Sequence, residues 1–535
     1  MHLFDTFERT TASQPNKPAF IYFSEHTKKW DVFTYQQFAD STNRFLLGLS
    51  ACPLTLNMSA AVMTPPSIEF FPFAFALLKF GIIPIILDPA VGLKKVGEIL
   101  KESQPDIFIG NTTTHFLRTI FGWGRNSIKY NLSLQSVKRR TSNIAQLPIT
   151  NYQLLSTSPA AIIYTSGSTG LPKGAIYTQA NLAAQMDMLR NTFNITQDEI
   201  DLPAFPLYAL IDVLLGVTSV IPDVTFPIPA KTNAAKVINA IQQFNVTNMF
   251  ASPVVLEILS SFALSGGVFV APQSKRLSSL KRIITAGAPA TIPLQQKFRN
   301  LLDDHTDLFG IYGATETLPI AKVESREIFS LKERTEHGAG VCLGKPIEDV
   351  TVRVISITDD PIKEWRDNLE VEKNIVGEIT VQSAATTRGY IQREDANRLS
   401  KIKNGDEVTH RTGDVGYFDE EGRLWYCGRK SHRVLTNDGV MFTERIENIF
   451  NAHPQVNRTA LVGIKGEPAL WVEMKKNVKE NKAKIRQALT DLAKHHPQAS
   501  KIKAFLFMKK FPTDVRHNSK IIREELTVLA EKRLS

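Results

Sequence analysis

Tyr164-Thr165-Ser166-Gly167-Ser168-Thr169-Gly170-Leu171-Pro172-Lys173-Gly174 is the stretch on which the reading of this chain turns. It follows the apolar run Ala160 to Tyr164, expected as a strand, and precedes the helix-like segment Ala180 to Phe193. Its glycines permit unusual φ values and close backbone approach. Thr165, Ser166, Ser168 and Thr169 supply hydroxyl donors that can follow a moving anion, and Lys173 adds a point charge without a fixed planar geometry. Successive backbone N–H groups in such a loop form an anion-binding concavity. The whole suits a triphosphate that must be gripped while pyrophosphate departs. The plain alternative is a flexible Ser/Gly loop; the Pro-Lys-Gly end and the flanking strand argue against it. The G-x-x-x-x-G-K-[ST] spacing of a Walker loop is absent.

Working outward, β-branched runs alternate with helical patterns over the first four hundred residues. Ala61-Val62-Met63, Ile82 to Leu87, Ile107-Phe108-Ile109, Val246 to Phe250, Arg282 to Thr285 and Leu308 to Tyr312 read as strands. Ala234 to Phe244 reads as a helix. This alternation predicts an α/β body of layered subdomains with largely parallel sheets. After Pro346 the texture changes. Val350 to Ile357, Gly377 to Val381 and Arg423 to Cys427 read as antiparallel strands, with a hairpin turn at Asp419-Glu420-Glu421-Gly422, and predict a small β-barrel-like part. From Lys430 the chain is richer in lysine, with helical patterns at Arg445 to Ala452 and Lys482 to His495 and strands at Thr459 to Ile464 and Ala504 to Met508. A boundary at Lys430-Ser431 therefore divides residues 1–429 from a small α+β domain, 430–535.

The 535 residues are 43% hydrophobic and 22% charged, which excludes a mainly disordered chain or a fibre. Cys52, Cys342 and Cys427 lie far apart, so neither a disulfide framework nor a zinc cluster is expected. A net charge of +10 is spread over short basic clusters without aromatic interleaving, arguing against nucleic acid as a partner. The N-terminus lacks a signal-peptide pattern. Phe70 to Leu87 is interrupted by Pro72, Lys79, Gly81 and Pro84, and reads as a buried helix followed by a strand, not as a membrane span. A cytoplasmic location is the expectation, with peripheral membrane contact left open.

The glycine-rich loop resembles the signature loop of the adenylate-forming superfamily, which includes acyl-CoA synthetases, luciferases and peptide-synthetase adenylation domains. Further motifs follow in that family's order. Leu78-Lys79-Phe80-Gly81 with Leu87-Asp88-Pro89 resembles an early core motif, and Tyr312-Gly313-Ala314-Thr315-Glu316 the adenine and metal motif. Arg411-Thr412-Gly413-Asp414 resembles the ribose motif, Gly428-Arg429-Lys430 the interdomain hinge, and Asn518-Ser519-Lys520-Ile521 the segment with the catalytic lysine. The resemblance implies ATP and Mg²⁺ as cofactors. It implies Tyr312 along the adenine, Gly287-Ala288-Pro289 as the other nucleotide wall, Thr315 on phosphate and Glu316 on Mg²⁺. Asp414 would hold the ribose hydroxyls and Arg429 would add a donor nearby. Lys520, with Lys173, would stabilise charge during adenylation once the small domain rotates in about Lys430 and Ser431. Many members carry Asp or Lys at the pivot, and Ser431 departs from that.

Phe205-Pro206-Leu207-Tyr208-Ala209-Leu210 stands where many acyl-CoA synthetases have Pro-Leu-Phe-His, with Ala209 in place of the histidine. No Asp lies in this run to hold an ammonium, and Asp212 is out of register, so an amino-acid substrate is disfavoured. Phe205, Leu207, Tyr208 and Ala209 suit an alkyl chain. Four runs (205–210, 312–319, 428–434 and 516–521) are similar to those of bacterial olefin β-lactone synthetases. That resemblance implies adenylation of a long 2-alkyl-3-hydroxy acid and ring closure by its own hydroxyl, without CoA. It also implies olefin-pathway enzymes as partners. His432 is a candidate proton acceptor, with a structural histidine at the hinge as the plainer reading. The alternatives are a fatty acyl-CoA ligase, which would need CoA, and a non-catalytic nucleotide-binding relative.

Overall fold

The computed structural model describes residues 2–24, 27–87, 91–140, 155–165, 172–205, 207–222, 229–266, 276–476, 478, 481–513 and 520–534. Two large sheets dominate the first four hundred residues. The six-stranded sheet runs in the order Tyr130–Leu132, Ile107–Gly110, Ser59–Met63, Ile83–Ile86, Pro159–Tyr164, Gly174–Thr178. Every neighbouring pair is parallel except the last. Helices cover both faces, as a parallel sheet requires. Phe70–Phe80 is apolar almost all round and is correspondingly buried, packing with Tyr35–Ser50 through Phe45, Leu49, Phe73 and Leu77. On the opposite face, Leu93–Ser103 contributes Val96, Ile99 and Leu100 to a cluster with Phe108 and Trp123.

The fourteen-stranded sheet begins with the antiparallel hairpin Lys29–Thr34 and Pro18–Ser24. It continues through the parallel strands Thr218–Ile221, Ile200–Pro203, Asn248–Ala251, Arg282–Thr285 and Asp307–Ala314. From Thr317–Glu324 onward its pairings are antiparallel, through Val341–Pro346, Leu424–Arg429, Glu407–Phe418 and Gly377–Gln382 to Thr351–Ile355. The barrel-like part is thus hydrogen-bonded as a continuation of the parallel sheet. The change of texture comes at Thr317, some thirty residues before the expected Pro346. Thr317–Glu324 folds straight back on Asp307–Ala314 and leaves no compositional break.

Two further expectations need adjusting. The phosphate loop does not run directly into a helix: Gly174–Thr178 intervenes as a strand, antiparallel to Pro159–Tyr164, and only then does Gln179–Phe193 begin. Gly174-Ala175-Ile176-Tyr177-Thr178 is too short for a periodic signal and becomes a strand through its tertiary pairing. The N-terminal hairpin also carries no turn dipeptide of the usual kind and was not expected.

The last hundred residues build their own core. Val456–Ile464, Glu467–Met474 and Ala504–Met508 form a three-stranded sheet. Thr443–Asn451 and Lys482–Lys494 bury Ile446, Phe450, Ile485 and Leu489 on one face, and Arg523–Leu534 covers Trp471 on the other. This unit meets the larger part through Thr443–Asn451, where Arg445 Nε donates to the Gly338 carbonyl at 2.8 Å. No helix among the described residues is long and apolar enough to cross a membrane.

Candidate active site

A cavity of about 3390 Å³ runs along the seam between the two sheets and under the C-terminal unit. Its walls bring together segments scattered from Tyr22 to Arg523. The ends of the phosphate loop are closed by a reciprocal pair: Thr165 N–H donates to the Lys173 carbonyl (2.9 Å), and Lys173 N–H donates to Thr165 Oγ1 (3.2 Å). Both residues line the cavity, with Lys173 Nζ 5.3 Å from the Tyr390 ring centre. Ser166, Gly167, Ser168, Thr169 and Gly170 lie outside the described residues, as do Asp88, Pro89, Pro206, Asn518 and Ser519.

The strand Asp307–Ala314 carries Tyr312, Gly313 and Ala314 into the cavity, with Thr315 and Glu316 in the turn that follows. Across from it, Glu407–Phe418 and Leu424–Arg429 pair so that Asp414 lies opposite Arg429. The Tyr312 hydroxyl donates to Asp414 Oδ2 at 2.7 Å, so the ring expected along an adenine is also a strut for the expected ribose ligand. Arg429 Nη1 lies 3.1 Å from Asp414 Oδ1. That oxygen is nevertheless buried with no aligned hydrogen-bond donor. Burial pushes the Asp414 carboxyl up, against the pull of Arg429. A buried acceptor without a donor is costly, and a ligand hydroxyl would satisfy it. This is what a nucleoside diol requires. Gly287, Ala288 and Pro289 line the cavity as well.

Glu316 sits among polar neighbours that sequence reasoning missed. The Tyr390 hydroxyl donates to Glu316 Oε1 at 2.5 Å. Lys401 Nζ, 5.5 Å from the same ring, donates to the Thr387 carbonyl at 2.6 Å. His410 Nδ1 is 3.1 Å from the Ser400 carbonyl. Burial opposes ionisation of Glu316, but His410, the Tyr390 hydroxyl and Lys401 outweigh it and hold the carboxyl below its ordinary value. Burial draws Lys401 down to about 7 and His410 to about 3. Near neutral pH the imidazole is therefore uncharged, and Lys401 beside Glu316 is only partly protonated. An ionised carboxylate at a cleft wall is a suitable ligand for a hard cation such as Mg²⁺. The signal for Tyr390 was present in Arg388-Gly389-Tyr390, a turn after a strand, but its partner is 74 residues away.

Of the two hinge candidates, Lys430 is pinned to the larger part. Lys430 Nζ donates to the Thr358 carbonyl (2.9 Å) and to Glu378 Oε2 (3.1 Å), which also takes Arg411 Nη2 at 2.6 Å. Ser431 and His432 follow in a single tight turn and line the cavity. His432 faces Glu524 at 3.7 Å, and burial lowers its pKa to about 4. Lys520 lines the same cavity as Lys173 and Glu316, and Asp414 feels its charge.

The apolar end is formed where Phe70–Phe80 faces Tyr208–Leu215. Phe205, Leu207 and Tyr208 line it, with Tyr208 stacked on Phe250 at 3.8 Å between ring centres. Ala209 does not. It is fully buried in the core, because the helix turns residues 209, 212 and 213 inward and 208, 211 and 214 toward the cavity. Asp212 is on that inward side, where Ser219 Oγ donates to it at 2.7 Å, and offers nothing to a substrate ammonium.

The model of the family described as AMP-binding enzyme matches residues 7–391. The chain belongs to this adenylate-forming family. An olefin beta-lactone synthetase of Xanthomonas campestris pv. campestris is 37% identical over 525 residues, covering 94% of this chain and 91% of that protein. One of Stenotrophomonas maltophilia is 36% identical over 520 residues, with the same coverage. Among solved structures, the O-succinylbenzoate coenzyme A synthetase of Bacillus subtilis in complex with ATP and magnesium ion superposes with a TM-score of 0.75 at 21% identity, over 98% of this chain and 99% of that one. ATP-bound MatB of Rhodopseudomonas palustris gives 0.78 at 18% identity over the full length of both. At these identities the two structures share the family's two-part fold with this chain.

Proposed function

We propose that this protein adenylates a long-chain 2-alkyl-3-hydroxy carboxylic acid with ATP and closes the product to a β-lactone. A substrate carboxylate oxygen attacks the α-phosphorus, and the bond to the β-phosphate oxygen breaks, releasing pyrophosphate. The substrate's own 3-hydroxyl oxygen then attacks the acyl carbon, the bond to AMP breaks and the hydroxyl proton is lost. The strain of the four-membered ring is offset by cleavage of the mixed anhydride, and proximity makes an external nucleophile unnecessary.

The single observation carrying this reading is the continuity of one cavity, from Lys173, Glu316, Asp414 and Lys520 at its polar end to Leu207, Tyr208 and the Phe70–Phe80 helix at its apolar end. In the reading, Asp414 Oδ1 accepts from the ribose. Tyr312 and the 287–289 segment bound the purine, with Gly313 and Ala314 behind it. Thr165 and the loop through Gly170 grip phosphate together with Thr315. Glu316 would hold Mg²⁺, which when bound neutralises phosphate charge. Lys173 and Lys520 supply positive charge where negative charge builds on the oxygens of the phosphorus under attack, an effect enlarged by exclusion of water. Residues 430–535 form the lid that brings Lys520 in, turning at Lys430 and Ser431. The two olefin beta-lactone synthetases, similar over nearly the whole chain, support the second half-reaction.

The test is incubation of the purified protein with Mg-ATP and a long 2-alkyl-3-hydroxy acid, with and without CoA. A β-lactone with AMP and pyrophosphate, formed equally without CoA, is the expected result. A thioester formed only with CoA from simple fatty acids would replace the reading with a ligase. Absence of pyrophosphate with every acid would remove both.

A further inference from the structure

We propose that the helix Thr112–Phe121 seats this protein on an anionic lipid surface. The helix follows Ile107–Gly110 and packs on the sheet only through its inner side. His115 Nε2 is 3.0 Å from the Leu132 carbonyl, Leu117 touches the Phe108 cluster, and the Arg118 guanidinium lies 5.6 Å from the Phe108 ring centre. Its start is fixed by a reciprocal cap between Asn111 and Thr114, both bonds 2.9 Å. None of its residues is fully buried. Its outer side instead presents Phe116 at 65% exposure, Ile120 at 60% and, at its end, Phe121 at 50%. Phe116 and Ile120 are one turn apart and share a face. Isolated exposed apolar residues need no explanation, but three large ones within six positions on one short helix form a surface suited to an apolar partner.

Charge selects the partner. Residues 91–140 hold nine basic residues against three acidic ones, an excess of six, while the whole chain of 535 residues has an excess of ten. The neighbouring helix Leu93–Ser103 adds exposed Leu93, Lys94, Lys95 and Lys101. The two helices meet through Trp123, which stacks on Phe121 at 5.3 Å and stands against Gly97. Aromatic and aliphatic side chains set among exposed lysines match the boundary between acyl chains and anionic headgroups. The same helix start borders the catalytic cavity, since Asn111, Thr113 and Thr114 line it. The inference does not depend on which acid is activated.

The experiment is co-sedimentation of the full-length protein with phosphatidylcholine vesicles, with and without phosphatidylglycerol. We expect at least about tenfold stronger partition to the anionic vesicles, weakened by salt. Phe116→Ser/Ile120→Ser should reduce it by about tenfold, with the thermal unfolding midpoint and the turnover of detergent-dispersed substrate unchanged. Lys94→Glu/Lys95→Glu should abolish the preference for anionic lipid and leave a weak, salt-insensitive remainder. Should the first double variant unfold, Phe116→Ser alone makes the same test. No partition to anionic vesicles, or equal partition of the wild type and the serine variant, overturns the proposal. A serine variant that changes oligomeric mass while binding vesicles as before overturns it too, and assigns the face to a protein contact.

Discussion

Lys520 and Tyr390 answer different questions at the scale of single side chains. In the proposed mechanism, Lys520→Ala removes a charge that acts only when phosphorus is being substituted. Adenylate formation should fall by about 10²–10³ with an unchanged unfolding midpoint, measured by ATP–pyrophosphate exchange and thermal melting. Tyr390→Phe removes only the hydroxyl on Glu316. Its expected signature is a several-fold higher Mg²⁺ requirement at saturating ATP, because the carboxylate loses the bond that fixes its position. An unaltered Mg²⁺ curve would deny Tyr390 that role. Lys520, Glu316 and Asp414 could be picked from sequence because each sits in a short motif whose residues are contiguous. Tyr390, Lys401 and His410 could not, since they reach Glu316 only after separate strands and loops are laid side by side. Ala209 was misplaced for the converse reason: neighbours in a run do not share a helix face.

Elements were legible in proportion to their periodicity. Uniformly apolar runs such as Ile107–Gly110 and Ala504–Met508, and amphipathic helices such as Lys482–Lys494, lie where composition alone puts them. A compositionally mixed run such as Gly174–Thr178 owes its conformation to a partner, and no local pattern announces a partner. The junction at Val341–Pro346 offers a test of such pairing. Gly344 has φ +76°, and a β-carbon there would stand 2.0 Å from the Lys322 carbonyl oxygen of the adjacent strand. Gly344→Ala must therefore open the ladder that ties the antiparallel strands to the parallel sheet. A loss of about 2–4 kcal/mol is expected in denaturant unfolding, and a change within error would mean the strands tolerate separation there.

Over the whole molecule, two-part architecture and family were readable because the motifs occur in order along nearly the entire chain; the course of the long sheet was not, since nothing in a strand states which neighbour it takes. One global property follows from a pair the motifs do not mention. Asp201, in the strand Ile200–Pro203, interacts with Asp212, and burial lifts Asp201 to about 7 from 3.8 and raises Asp212 as well. A carboxyl with a raised folded-state pKa contributes stability that is complete below about 4 and is lost as pH rises through about 7. Relative to Asp201→Asn, the wild type should lose on the order of 4 kcal/mol across that window, read from unfolding midpoints at successive pH values. A constant difference would place the proton elsewhere.

The strand Gly174–Thr178, lying between the phosphate loop and the helix Gln179–Phe193, has an electrostatic consequence. Five extended residues carry the chain about 16 Å, so the positive end of that helix dipole stands well away from the anion it would otherwise attract. In the proposed mechanism, attraction for a departing anion comes instead from lysine ammonium groups, one of them on a separate folding unit. A dipole built into a helix cannot be withdrawn after the reaction, whereas an ammonium on a hinged unit can. An enzyme made this way can let go of its by-product by moving away from it.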